Sequence, residues 1–335
     1  MLLSGDIGGT KTVLALFKEE GANKIEHMPV REAVFPSRNF NSLEEIIHEF
    51  LKDDNAHLSA ASFGVAGPVV NQKAEITNLS WQIDAQSISD ALGVEARLLN
   101  DLEAIANAVP FLQQDDLIAL HEGEPEQHGA KAVIAPGTGL GEAFLVWDGQ
   151  RYESYPSEGG HAAFAPTSYR QIELLSYWLK KLGHVSYERL CSGIGIPNIY
   201  QYLCDCGDYE EPEWLRDQLA SVGDRTPVIV DNAKSGKARI CVDTLNLFME
   251  ILGSEAANLA LKVLATGGVY IGGGIPPRIV PQLQTSRFMD LFRYKGRFSE
   301  MMAKMPVYII SNPKAALYGA AYEALKAIDY EPVKP

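Results

Sequence analysis

A glycine-rich turn with polar flanks lies near the start of the chain, in Asp6-Ile7-Gly8-Gly9-Thr10-Lys11-Thr12. Apolar residues on both sides predict buried strands, so the segment is predicted to be the tight turn of a hairpin. Its two glycines allow close approach to the backbone, and successive N–H groups in such a turn can bind an anion. Thr10 and Lys11 add further donors, and Asp6 is placed to hold a hydrated Mg²⁺. An ordinary Gly-Gly hairpin with polar tips is the alternative interpretation.

Two more glycine-rich turns follow apolar strands further along the chain. Gly137-Thr138-Gly139 separates strands predicted over 131–135 and 142–147, and Gly272-Gly273-Gly274 follows a strand that starts at Val269. The unit of strand, turn and strand therefore occurs twice and is the one internal repeat. Three such turns are hard to explain as independent hairpins, and they suit a nucleotide that lies in a cleft between two similar halves.

A second group of polar residues suits the recognition of hydroxyl groups: Asn100, Asp101, Glu158, His161 and Glu188. Asn100-Asp101 follows a strand predicted over 94–99, and ligands of open α/β sheets bind beyond the carboxyl ends of strands. The alternative is that Asn100-Asp101 only caps a helix and that His161 and Glu188 have structural roles.

The chemistry of this polar group favours a neutral substrate. It has no arginine fork, which a phosphorylated or carboxylate substrate would require. Together with the phosphate-type turns, it suggests phosphoryl transfer to a neutral polyol. A carboxylate would receive the hydroxyl proton, and the protein would contribute positioning and charge neutralisation.

Composition excludes several other classes of function. The 335 residues allow two domains, and a net charge of −14 disfavours nucleic acid or an anionic membrane as a partner. No apolar run is long enough to span a bilayer, and no signal peptide is evident, so a cytoplasmic protein is expected. The four cysteines suit a reducing compartment, and Cys204-Asp205-Cys206 lacks two further ligands at zinc-site spacing.

The remaining pattern predicts alternating strands and helices. Ser42 opens a helix that runs through Leu51, and Asp84 caps a short helix that ends at Gly93. Further elements are predicted as strands over 29–35 and 306–310, as a small-residue strand that ends in a turn over 60–68, and as helices over 102–109, 168–181, 237–265 and 315–327.

Taken together, these segments resemble the bacterial glucokinase family of the sugar kinase, actin and heat-shock chaperone ATPase superfamily. The resemblance covers nearly the whole chain, and the order of its motifs makes it specific. The motifs are Asp6-Ile7-Gly8-Gly9-Thr10, Thr77-Asn78-Leu79-Ser80-Trp81, Leu99-Asn100-Asp101-Leu102, Gly137-Thr138-Gly139-Leu140-Gly141, Glu158-Gly159-Gly160-His161, His184-Val185-Ser186-Tyr187-Glu188-Arg189 and Ile271-Gly272-Gly273-Gly274-Ile275.

The resemblance implies an α/β, two-domain actin-like ATPase (ribonuclease H-like) fold with a central cleft. The small domain would contain residues 1–110 and about 313–335, and the large domain residues 111–312. Asp101 is then the catalytic base of a glucose kinase that uses ATP. The residues expected to bind glucose are Asn78, Asn100, Asp101, Glu158, His161 and Glu188. Those expected to bind ATP are Asp6, Gly8, Gly9, Thr10, Lys11, Gly137, Thr138, Gly139, Gly272, Gly273 and Gly274.

Two features depart from the family pattern or bear on its branches. Lys11 stands where these glucokinases usually have Asn. The related repressor and kinase branch has a cysteine-rich zinc motif after the Glu-Gly-Gly-His segment, whereas residues 162–172 contain no cysteine here. A kinase that needs Mg²⁺ but no zinc is therefore expected, and the resemblance also implies a homodimer.

Two competing functions remain open from the sequence. One is a kinase for another hexose or an N-acetylated hexose, or one that uses polyphosphate. The other is a nucleotide-gated binding protein of the actin or chaperone type, which would need no sugar-binding residues.

Overall fold

The computed structural model describes residues 1–20, 24–53, 56–76 and 79–328. They form two compact units. Unit 1 contains Met1–Gln113, Gln150–Tyr155 and the segment from Asn312 on, and unit 2 contains Gln114–Gly149 and Pro156–Ser311. Asn78 lies outside the described residues, so its role in sugar binding stays a prediction. Within the described ranges, no helix combines the length and apolar character needed to cross a membrane.

The first 113 residues alternate between strands and helices. In chain order the elements are β1 Leu2–Ile7, β2 Lys11–Phe17, β3 Arg31–Pro36, α1 Leu43–Leu51, β4 Ala60–Val65, β5 Val69–Val70, β6 Lys73–Glu75, β7 Gln82–Asp84, α2 Ala85–Leu92, β8 Ala96–Asn100 and α3 Asp101–Ala108. Short 3₁₀ helices cover Ser37–Asn39 and Val109–Phe111.

The rest of the described chain contains the longer helices. Its elements are β9 Leu117–His121, β10 Lys131–Pro136, β11 Leu140–Trp147, β12 Tyr152–Ser157, α4 Tyr169–Leu182, α5 Gly195–Asp205, α6 Glu213–Ala220, α7 Thr226–Lys234, α8 Arg239–Val263, β13 Val269–Ile271, α9 Val280–Thr285, α10 Phe288–Arg293, α11 Ser299–Met302, β14 Val307–Ile310 and α12 Ala315–Ile328. Short 3₁₀ helices cover Gln114–Asp116, Gly159–His161, Pro276–Arg278 and Gly296–Phe298.

The caps predicted from the sequence are present in unit 1. The Ser42 side chain accepts a hydrogen bond from the Glu45 amide at 3.3 Å, and Asp84 accepts one from the Gln86 amide at 3.0 Å. Gly93 ends α2 with φ of 69°, a left-handed conformation that glycine adopts without strain. The beginnings of α1 and α2 and the end of α2 are therefore set by local sequence.

The main sheet of unit 1 has the strand order β3-β2-β1-β4-β8. β1 and β2 form the predicted antiparallel hairpin, while β1, β4 and β8 are parallel neighbours. The apolar faces of α1 and α2 pack on this sheet in one core, and α3 and α12 also pack against it. α3 and α12 lie so close that an added Cβ at Gly319 would overlap the carbonyl oxygen of Ala104.

Unit 2 repeats this local arrangement. β10 and β11 form an antiparallel hairpin, β13 lies parallel to β10 on its other side, and the order continues through β14 to β9. The 25-residue helix α8 is buried along most of its length in the core of this unit. In both units a glycine-rich turn therefore joins two antiparallel strands beside a parallel neighbour, which is the physical basis of the sequence repeat.

Candidate active site

The glycine turn of unit 1 is held from within by hydrogen bonds. The Gly8 amide donates to the carbonyl oxygen of Lys11 at 3.0 Å, which closes the turn. The Ser37 hydroxyl donates to the carbonyl oxygen of Gly8 at 2.7 Å and also lies 3.0 Å from the Thr12 hydroxyl. Ser37 is fully buried and was not identified from the sequence, because no local signal links it to a turn almost thirty residues away.

Two carboxylates of unit 1 lie near each other at the carboxyl edge of the parallel strands. The register places Ile7 beside Val65 and Val65 beside Asn100, so the ends of β1, β4 and β8 are level. Burial raises the pKa of Asp6, the charge of Asp101 raises it further, and Lys11 opposes the shift. The sheet therefore brings Asp6, Asp101 and Lys11 close together.

Asn100 and Asp101 differ in their contacts: Asn100 caps the helix, and Asp101 does not. Asn100 is the N-cap of α3, and its side-chain oxygen accepts a hydrogen bond from the Glu103 amide at 2.6 Å. Asp101 is the first helical residue, stays exposed, and accepts a hydrogen bond from the Leu102 amide at 2.9 Å. Partial loss of hydration raises the pKa of Asp101, and the amides of Leu102 and Asp101 oppose that shift. The helix cap therefore leaves the Asp101 carboxylate open to a ligand.

Three predicted sugar-binding side chains of unit 2 converge. His161 Nε2 lies 3.8 Å from Glu158 Oε2, and His161 Nδ1 lies 3.8 Å from Glu188 Oε1. The backbone fixes this arrangement, because the His161 amide donates to the carbonyl oxygen of Glu158 at 3.0 Å and the Glu188 amide donates to that of Gly160 at 2.9 Å. Glu158 is 89% exposed and Glu188 only 22%, so the group extends from the surface inward.

Glu188 also contacts the glycine turn of unit 2. Its Oε2 accepts a hydrogen bond from the Leu140 amide at 3.1 Å, and an added Cβ at Gly139 would overlap that oxygen. One carboxylate oxygen thus binds the turn while the other faces His161. This direct link between the polar group and the turn was not predicted from the sequence.

A cavity of about 910 Å³ in unit 2 is lined by two of the glycine turns. Gly137, Thr138 and Gly274 line it, and an added Cβ at Gly137 or Gly274 would meet no atom within 4 Å. The volume is that of a typical ligand pocket. Gly139, Gly272 and Gly273 do not line the cavity; Gly272 donates to the Ile134 carbonyl oxygen at 2.9 Å.

The other residues that line the cavity were not identified as a site from the sequence. The Gly193 amide donates to the carbonyl oxygen of Gly137 at 2.7 Å, and the Thr226 hydroxyl donates to that of Gly193 at 2.6 Å. The wall residues are Gly193, Ile194, Pro197, Asn198, Gly223, Asp224, Arg225, Thr226, Pro227, Val230, Asp231, Lys234, Ile275, Pro277 and Arg278. Of these, Ile275 belongs to the third glycine-rich motif, and the others lie outside the motifs recognised in the sequence.

The hairpin repeat and the glycine-lined cavity, with a histidine–carboxylate group tied to one turn, define a sugar kinase of the actin-like ATPase fold. A glucokinase from an Antarctic psychrotroph has this fold, with a TM-score of 0.87 and 32% identity over 97% of this chain and 98% of that chain. A ROK family glucokinase from Streptomyces griseus, solved with glucose and AMPPNP, shares the fold with a TM-score of 0.62 at 19% identity, covering 97% and 99% of the two chains.

Sequence comparison gives the family. The glucokinase family model matches residues 3–327, and the chain belongs to this family. The glucokinase of Trichormus variabilis is 39% identical, with 96% of this chain and 98% of that protein covered. The glucokinase of Synechocystis is 35% identical, with 95% of this chain and 96% of that protein covered.

Proposed function

We propose that the chain catalyses the ATP-dependent phosphorylation of glucose to glucose 6-phosphate. The observation that carries this proposal is the link through Glu188, which joins the histidine–carboxylate group to the glycine turn beside the cavity. A protein that only bound nucleotide would have no use for hydroxyl-binding residues at that position. Membership of the glucokinase family supports the same conclusion.

We propose that Asp101 accepts the proton of the sugar 6-hydroxyl. Its carboxylate is exposed at the start of α3, and its raised pKa makes it a slightly better base than a fully hydrated aspartate. Phosphoryl transfer passes through a loose transition state, so a weak base that orients the hydroxyl is sufficient. Asn78, Asn100, Glu158, His161 and Glu188 would bind the other hydroxyl groups.

The nucleotide is proposed to bind at the glycine-rich turns. The cavity of unit 2 suits ATP, because the turn glycines Gly137 and Gly274 face open space where a side chain would otherwise intrude. Gly139, Gly272 and Gly273 keep the turns in shape, and Gly8, Gly9, Thr10 and Lys11 would meet phosphate oxygens.

Asp6 is proposed to hold Mg²⁺ through water. Burial raises the pKa of its carboxylate and the nearby charge of Asp101 raises it further, and a bound cation would relieve that repulsion. Among the described residues, no group of three or more His, Cys, Asp and Glu side chains could hold a metal by itself. A magnesium ion there would therefore need phosphate oxygens and water as its other ligands, and it would neutralise charge on the transferred group.

The finer properties of the enzyme are also proposals. We expect no dependence on zinc, since residues 162–172 lack the cysteines of the zinc-binding branch. Four unpaired cysteines suit the cytoplasm, where the reaction would open the glycolytic use of glucose. A homodimer is expected from the family resemblance.

The decisive test is the release of ADP with and without sugar. ADP formation that requires glucose and exceeds that with mannose, fructose or N-acetylglucosamine would support the proposal. A preference for another hexose would reassign the substrate, and ADP release without any sugar would favour a nucleotide-gated binding protein.

A parallel assay with polyphosphate in place of ATP tests the phosphoryl donor. The metal is tested by chelation followed by addition of Mg²⁺ or zinc. Activity restored by zinc but not by Mg²⁺ would contradict the assignment of Asp6.

A further inference from the structure

Two buried carboxylic acids of unit 2 have no part in the proposed chemistry. Glu142 on β11 is 1% exposed, and Glu255 on α8 is fully buried. In each of them the Oε1 atom has no hydrogen-bond partner among the described residues. A buried carboxyl oxygen without a hydrogen-bond partner is costly, so the pair requires an explanation.

The Glu255 carboxyl group lies near enough to Glu142 to affect its pKa. Burial raises the pKa of Glu142 to about 8, and the charge of Glu255 and a side-chain hydrogen bond with it add to the shift, against the effect of Lys262. Two ionised carboxylates contain no donor, so a hydrogen bond between them requires a proton on one of them. At neutral pH the pair therefore carries one proton and one negative charge.

The surroundings of the pair balance that single charge. Lys262 Nζ lies 3.6 Å from Glu255 Oε1, and the Asn258 side chain donates to Glu255 Oε2 at 2.9 Å. Lys295 donates in turn to the Asn258 side-chain oxygen at 2.6 Å. The other titratable neighbours are neutral, because burial and the nearby carboxylates raise the pKa values of Tyr187 and of the Cys191 thiol.

Each carboxyl group supports one of the two segments that carry the sugar-binding side chains of unit 2. Glu142 lies directly against Gly159, next to Glu158, since an added Cβ there would overlap Glu142 Oε2. Glu255 acts through Tyr187, next to Glu188. Tyr187 interacts with Glu255, and the Asn258 side-chain amide, which donates to Glu255, also donates to the Tyr187 hydroxyl at 2.9 Å. A second charge on the pair would push Glu142 and Glu255 apart and displace both segments.

We propose that Glu142 and Glu255 are positioning residues that share one proton and thereby hold the segments 158–161 and 187–188 in the geometry that glucose binding requires. This inference rests on the proposed function, because it assigns glucose to those segments. It predicts that loss of the shared proton weakens glucose binding although neither carboxyl group touches the sugar.

The test compares the pH dependence of glucose affinity in three proteins, measured by calorimetry without nucleotide. With a pKa of about 8, about nine-tenths of the molecules hold the shared proton at pH 7 and about one-tenth at pH 9. If only the protonated pair holds the segments in place, the affinity of the wild type falls about tenfold between these pH values. In Glu142→Gln the amide donates permanently, so we expect a change below about threefold.

A matched control is the Lys131→Met variant. Burial lowers the pKa of Lys131 to about 8, so it titrates in the same range, yet it lies on β10 and is expected to leave the tenfold loss of affinity intact. The Glu142→Leu variant should raise the glucose KM at pH 7 at least about tenfold with a smaller change in the KM for ATP, because it leaves Glu255 without its donor.

The outcomes separate the two proposals. A Glu142→Gln variant with the full wild-type loss of affinity at pH 9 would overturn the positioning role. A folded Glu142→Leu variant with an unchanged glucose KM would also overturn it. If the wild type at pH 7 shows neither heat on glucose addition nor glucose-dependent ADP release, the proposed function fails, and this inference fails with it.

Discussion

Replacing Gly139 with alanine tests the link between the glycine turn and the sugar-binding group. The added Cβ would overlap Glu188 Oε2, whereas the neighbouring backbone leaves room for it. Because that oxygen is the tip of a flexible side chain, the carboxylate should move and the turn should stay in place. The variant is therefore expected to fold with nearly the stability of the wild type.

The magnitude of the effect follows from the contact that is lost. Glu188 Oε2 accepts a hydrogen bond from the Leu140 amide at 3.1 Å, and hydrogen bonds to charged groups contribute about 1.5–3 kcal/mol. Moving the carboxylate also shifts Oε1, which lies 3.8 Å from His161. Since about 1.4 kcal/mol corresponds to a factor of ten, glucose affinity should fall about 10- to 100-fold.

Calorimetric titration with glucose in the absence of nucleotide measures this effect directly. Gly137→Ala is the matched control, because it lies in the same turn and its added Cβ meets no atom within 4 Å. Gly137→Ala should keep wild-type glucose affinity even if it weakens ATP binding. Equal glucose affinities for Gly139→Ala and the wild type, or an equal loss in both variants, would refute the reasoning.

Three further predictions concern unit 1. Asp101→Asn should lower kcat about 100-fold or more with a much smaller change in glucose affinity, and a near-normal kcat would remove Asp101 from the role of base. Gly319→Ala should lower the free energy of unfolding by about 1–3 kcal/mol in urea denaturation, because the new Cβ overlaps the Ala104 carbonyl oxygen; unchanged stability would contradict that packing. Burial, and then the charge of Glu323, raise the pKa of Glu103 from 4.5 to about 7, against the effect of Lys326, so stability due to this group is lost as pH rises through that range. Glu103→Gln should therefore unfold at higher temperature than the wild type at pH 8 and show little difference at pH 4.5, and a lower melting temperature at pH 8 would contradict the shift.

Sequence predicted the parts of the fold that depend on local signals. The hairpins β1–β2 and β10–β11 were predicted because apolar runs flank glycines at short range, and the predicted start of α1 at Ser42 is confirmed by the Glu45 bond. These features need only neighbouring residues, so periodicity and capping rules are enough to find them.

Contacts between distant segments could not be predicted in this way. Glu142 and Glu255 are more than one hundred residues apart, and an isolated glutamate in a strand or a helix is usually read as solvent-exposed. The hydrogen bond from Ser37 to Gly8 and the cavity wall near Thr226 have the same origin. Each depends on tertiary packing, which no single stretch of sequence encodes.

The residue pair Asn100-Asp101 shows how a helix cap and a proposed reactive site can lie side by side. An N-cap must lie where a strand ends and a helix begins, and in a parallel sheet that point is also the edge where ligands bind. The Asn100 side-chain oxygen accepts a hydrogen bond from the Glu103 amide at 2.6 Å and so caps α3. The Asp101 side chain is therefore not needed as the cap, and it remains exposed. The same edge then holds two carboxylates: burial and then the charge of Asp101 raise the pKa of Asp6, and Lys11 opposes that shift. Lys11 thus offsets part of the repulsion that this crowding creates.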